Sequence, residues 1–136
     1  GDHEVPCSWT TGDNKKTRLD VPDGWQPYAI TRLTTEGKFV GRLQYDATRE
    51  LAGAVWSGDG ALTLIRHENA KHIYPKDSAG DWIVGEVRDN ERVRDEGVRP
   101  FIWTQEQGLV VLPVPEGCAS AGAVAVNEQG AVLVNG

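Results

Sequence analysis

Short apolar runs separated by polar, glycine-containing breaks fill this chain from end to end. Three runs close on a tryptophan, "VPCSW", "LAGAVW" and "RPFIW", and each is followed by a polar break, "TTGDN", "SGDG" or "TQEQG". A second run follows ("KTRLDV", "ALTLI", "LVVLPV"), then a longer irregular stretch. The third run ("YAITRL", "KHIYP", "AVAV") ends in a polar turn, and the fourth starts after that turn's glycine ("KFVGRL", "DWIVGEV", "AVLVNG"). Runs this short, rich in Val, Ile, Leu and Trp and bounded by turn residues, read as β-strands. No segment sustains a 3.6-residue period, so essentially no helix is expected.

Trp9, Trp56 and Trp103 are spaced by 47 residues each time. A bulky residue returning at a fixed interval in matching surroundings points to an internal repeat. The chain therefore reads as one all-β domain over residues 1–136, with about twelve strands in three four-stranded antiparallel units of about 4–50, 51–98 and 99–136. Two architectures suit such units: a propeller-like arrangement of three blades, or a β-trefoil. Propellers usually have about four to eight blades, so three blades are expected either to pair into a six-bladed dimer or to close unusually tightly. The recurring tryptophans read as core residues, and Gly37, Gly80 and Gly130 as turn residues with positive φ.

The last unit, "PFIWTQEQGLVVLPVPEGCASAGAVAVNEQGAVLVNG", resembles the HAF repeat of bacterial extracellular proteins through Phe101, Ile102, Trp103, Gly108, Leu109, Leu112, Ala125, Val126, Asn127, Gly130 and Val132. The second unit matches at Ala54, Val55, Trp56, Gly60, Leu62, Ile83, Val84 and Gly85, and the first at Trp9, Ala29, Ile30, Gly37, Val40 and Gly41. The resemblance spans the chain and is specific only in the last unit. It implies propeller-blade-like units. The family carries no single activity to transfer.

Composition narrows the function. The chain has 136 residues and a formal net charge of −6, with Lys and Arg scattered or set beside acids. No basic face is visible, which argues against nucleic acid and anionic membranes, and no apolar run is long enough to span a bilayer. The lack of methionine suits a processed, exported chain. Cys7 and Cys118 are candidates for one disulfide, within the chain or between two chains. Secretion is the expected localisation.

In an up-and-down meander the connections after the second and fourth strands of each unit share one end. Those stretches are the long, dissimilar ones, and long loops on a rigid scaffold carry sites. Trp25, Tyr28, His67, His72 and Tyr74 fall on or beside them and are the candidate ligand-binding residues. Trp25 stands out because it has no counterpart in the repeat. His67, Glu68 and His72 are the acid–base candidates for a small cyclase, isomerase or hydrolase. "HENAKH" lacks the further ligands of a zinc site, no Gly-x-Ser-x-Gly occurs, and no cofactor or metal is expected. The leading expectation is a secreted, non-catalytic binding module that grips a protein or small ligand through loops at one end. The alternatives are the small enzyme and a trefoil-type lectin, although the Gln-x-Trp motif of ricin-type lectins is missing.

Overall fold

The structure, a computed structural model, describes residues 6–10, 15–33, 37–67, 71–89 and 97–135, with the backbone alone at 8–10, 15 and 30–33. It is all-β. The strands are β1 (Cys7–Thr10), β2 (Lys15–Arg18), β3 (Trp25–Leu33), β4 (Phe39–Tyr45), β5 (Leu51–Trp56), β6 (Leu62–Ile65), β7 (His72–Ala79), β8 (Trp82–Arg88), β9 (Arg99–Thr104), β10 (Gly108–Val111), β11 (Gly122–Val126) and β12 (Val132–Asn135). No helix forms among the described residues, so none of them crosses a membrane as a helix.

Hydrogen bonding divides the strands into two four-stranded antiparallel ladders and two hairpins. β3–β4–β5–β6 make one ladder and β7–β8–β9–β10 the other. A parallel bridge between Leu51 and His72 joins them into one mixed eight-stranded sheet, which is open and not closed on itself. β1–β2 and β11–β12 remain separate two-stranded sheets. The ladders are offset by two strands from the units set by the tryptophan spacing. β4 pairs with β5 and β8 with β9, so each ladder joins the last two strands of one unit to the first two of the next.

Three apolar clusters stack these sheets face to face. Leu19 and Val21, which follow β2, pack with Leu43, Ala54, Trp56 and Leu64 of the first ladder. Val40, Val55 and Ile65 of the first ladder pack with Ile73, Ile83, Val87, Phe101 and Trp103 of the second. Val84, Trp82 and Ile102 of the second ladder pack with Ala123, Val126, Val132 and Val134 of the last hairpin. Side chains alternate between the two faces of a strand. Val55 therefore points one way and Ala54 and Trp56 the other, while Val84 opposes Ile83 and Val87. Both faces of each ladder are thus apolar, and β5 is buried at all six positions.

Trp56 and Trp103 occupy corresponding places, each in the third strand of its ladder. Both face the preceding layer, with 0% and 7% exposure. Trp56 also donates from Nε1 to the Asp20 carbonyl at 2.7 Å, which pins the segment after β2 to the first ladder. The side chain of Trp9 lies outside the described residues. Close approach fixes two glycines between these elements. A Cβ on Gly85 would collide with the Tyr74 carbonyl oxygen, and one on Gly60, whose φ is +91°, would collide with that of Arg18. Gly37, Gly80 and Gly130 have positive φ, as turn residues should.

The disulfide expected within the chain is not formed. Cys7 and Cys118 are both exposed and are not bonded to each other. Cys7 belongs to the first layer and Cys118 precedes the last, with both ladders between them. Stacked sheets lie about 10 Å apart, well beyond the roughly 7 Å Cα separation that a disulfide spans.

Removing the Trp56 side chain opens a cavity and loses the bond to Asp20. Trp56→Ala should destabilise the fold by about 3–5 kcal/mol, read as a lower midpoint in urea-induced unfolding. A midpoint unchanged from the parent would place Trp56 outside the core.

Candidate binding site

The starts of β3, β5, β7, β9 and β11 and the ends of the strands before them share one end of the stack, as the alternating direction of the strands requires. Two clefts open there. The first, of ≈ 380 Å³, is lined by Trp25, Glu50, Leu51, Ala52, Arg66, His67, Lys71 and Ile73. The second, of ≈ 710 Å³, lies between the second ladder and the last hairpin, with Glu86, Val98, Cys118, Ser120 and Asn135 among its walls.

The first cleft is assembled by backbone bonds between loops. Trp25 N–H donates to Pro22 O at 3.1 Å, closing a turn in which Gly24 has φ +87°. Asp46 N–H donates to Gly24 O at 2.8 Å, and Arg49 N–H to Tyr45 O at 2.7 Å. Arg49 completes that turn with φ +62°, uncommon for a residue with a side chain. These loops set the half-buried Trp25 against Tyr45, ring centroids 5.0 Å apart and tilted by 46°. The Arg66 guanidinium lies over the indole at 5.3 Å, within cation–π range. Arg66, Lys71 and His67 face one acid in the lining, Glu50.

His72 plays a different part. It is buried, and its Nδ1 accepts a long hydrogen bond from Leu51 N–H at 3.4 Å, beside the bridge that links the two ladders. A ring accepting at Nδ1 carries its proton on Nε2 when neutral. Leu51 and Ile73, the neighbours of this contact, line the cleft, so His72 shapes its wall. Glu68 lies outside the described residues, as does the middle of the charged stretch 88–99.

Tyr28 and Tyr74 come together elsewhere, through a residue that the sequence did not single out. Arg42 lies over both rings, at 5.1 Å from Tyr28 and 4.8 Å from Tyr74. Arg88 lies over Tyr74 at 4.0 Å and Lys76 at 5.9 Å. Arg88 and Lys76 also reach the carboxylate of Glu86, Nε to Oε2 at 2.5 Å and Nζ to Oε1 at 3.8 Å. Glu86 is only 3% exposed. It fits because the next layer presents Gly122, where a Cβ would come within 3.2 Å of Oε1. A cationic and aromatic seam thus runs from Tyr28 on the first ladder to the wall of the second cleft. Three cations face one acid in it. The signals were present in the sequence: Arg42 in "VGRL" keeps phase with the buried Val40, and Glu86 interrupts the apolar "IVGEV".

Among the described residues no group of three or more His, Cys, Asp or Glu side chains is placed to hold a metal ion. Comparison of the chain with protein-family models, with curated proteins and with solved structures found no match.

The Glu86 carboxylate is buried, so its partners matter to stability. Arg88→Ala leaves it with the distant Lys76 alone and should cost about 3–5 kcal/mol. Glu86→Gln in the same background should recover part of that loss. Urea unfolding of the single and double variants measures both, and equal stability of the two would show that Arg88 does not compensate a buried charge.

Proposed function

We propose that the chain is a binding module, extracellular and non-catalytic, built on a propeller-like stack of sheets and holding its ligand at the loop-bearing end. The observation that carries this reading is the Trp25 cleft. Four separated stretches of chain meet there, and they bring together a flat aromatic side chain, three basic side chains and one acid. The ligand is a small molecule or protein segment that offers a flat apolar surface to Trp25 and an anionic group to Arg66, Lys71 and His67. A pocket with one aromatic anchor and a few placed polar groups is the usual form of a ligand site. Face-to-face packing of the ladders and the corresponding placement of Trp56 and Trp103 support the propeller-like reading, as does the resemblance to HAF repeats.

A second reading has one observation in its favour. His67 and Glu50 line the same cleft, which gives a titratable pair for acid–base chemistry on a bound substrate. Loss of turnover in His67→Ala, with binding kept, would select it over the module.

Thermal-shift and calorimetric screening against carboxylated and sulfated oligosaccharides and acidic peptides tests the module. A ligand found this way should lose about 2 kcal/mol of binding energy, near thirtyfold in affinity, in Trp25→Ala. Arg66→Ala should weaken it and reduce its dependence on salt. Binding unaffected by either change would place the ligand elsewhere on the molecule.

A further inference from the structure

The seam around Tyr74 holds more positive charge than its acid balances. Arg42, Lys76 and Arg88 lie 4.8, 5.9 and 4.0 Å from the centre of the Tyr74 ring, and Arg42 also lies 5.1 Å from that of Tyr28. Among the described residues one acid, Glu86, reaches these cations, through Arg88 Nε and Lys76 Nζ. Arg42 makes no ion pair or hydrogen bond among the described residues. An aromatic face attracts its charge, yet the guanidinium keeps five N–H donors in a planar fork. No nitrogen of Arg42 or Arg88 is both buried and unpartnered, so the donors that make no bond are reached by solvent.

The backbone turns side chains into this seam. The pairing of β3 shifts register between Pro27 and Ala29, and that of β7 between Pro75 and Asp77. Tyr28 and Lys76 are the extra residues of these two bulges. A bulge re-aims a side chain, and bulges recur beside binding sites. Tyr28 is 48% exposed, and Lys76 is exposed as well. Tyr28, Arg42, Tyr74, Lys76 and Arg88 all stand on strands, where pairing sets their positions more firmly than a loop would. None of them lines the Trp25 cleft.

We propose that this seam is an oxyanion site. A carboxylate, sulfate or phosphate group of a small ligand sits between Arg42 and the pair Arg88 and Lys76, and the group attached to it lies against the exposed ring of Tyr28. The forked guanidinium of Arg42 matches two oxygens of such a group. The oxyanion supplies the negative charge that the seam lacks, in a chain whose other cations are scattered or set beside acids. Glu86 does not take that place. It is 3% exposed and engages Arg88 through Nε, which leaves both Nη groups of Arg88 for the ligand. The site is separate from the Trp25 cleft, which has cations of its own in Arg66, Lys71 and His67.

Arginine Nε–Hε resonances, followed by nuclear magnetic resonance, tell the two places apart. Sodium sulfate, phosphate and acetate are titrated separately into the native chain, with sodium chloride at equal ionic strength as the control. The Arg42 and Arg88 signals should move and saturate with at least one of the three, with a dissociation constant on the order of millimolar, and not with chloride. The anion that binds most tightly identifies the group on the ligand. Arg42→Gln should weaken the response at Arg88 by at least about tenfold, with an unchanged circular dichroism spectrum. Arg42→Lys, which keeps the charge and loses the fork, should weaken it less. Movement confined to Arg66 would assign the anion to the Trp25 cleft and overturn the seam site. So would shifts that grow without saturating, equal shifts with chloride, or a response at Arg88 indifferent to Arg42→Gln. The titration of the native chain is decisive even where a variant folds poorly.

Discussion

Each ladder in this protein is apolar on both faces and so must be covered twice. Val55 and Trp56 are neighbours in one strand, both buried, and they face opposite layers. Val84 and Ile83 repeat the arrangement in the second ladder. One sheet with a wet face could not accommodate such strands, and a two-layer sandwich would leave one face of each sheet in water. Stacking of several sheets satisfies the constraint, and much else follows from it. Gly60 and Gly85 approach neighbouring backbone, Asp77 accepts a hydrogen bond from Val126 N–H at 2.9 Å to hold the last hairpin, and Glu86 is buried against Gly122. Leu133, in the last hairpin, is 63% exposed.

The same stacking positions the candidate site. Strands that alternate in direction bring their long connections to one end, and the junctions between successive layers open there as clefts. The Trp25 cleft lies beside the bridge between Leu51 and His72, where the two ladders meet. The side chains that could contact a ligand therefore stand on loops whose feet are anchored in buried strands. Binding in the cleft would act on a preformed surface, so little conformational freedom would be lost when a ligand docks.

Strand content was legible in the sequence because most strands are short apolar runs bounded by turn residues; β2, Lys15–Arg18, is an exception. The burial of Trp56 and Trp103 was legible from their spacing. Pairing across unit boundaries was not. Consecutive strands are antiparallel neighbours whether the boundary falls before β5 or before β3, and the tryptophan period is indifferent to that choice. The reading of a disulfide within the chain failed because two cysteines in sequence carry no information on the two ladders stacked between them. Of the candidate site residues, Trp25 and His67 share a cleft, Tyr28 and Tyr74 share Arg42, and His72 serves the wall. Arg42 and Glu86 were missed because a charged residue in a strand was read as solvated. The phase of Arg42 with Val40, and the apolar neighbours of Glu86, were the available clues.

Residue-resolved hydrogen exchange on the native protein tests the doubly covered ladders most directly. The amides of β4, β5, β8 and β9, paired on both sides and buried between layers, should exchange only through global unfolding, while those on the outer edges of β6 and β10 exchange through local opening. Exchange from β5 and β8 as fast as from β6 and β10 would contradict the account, because strands covered on both faces cannot open without unfolding the stack.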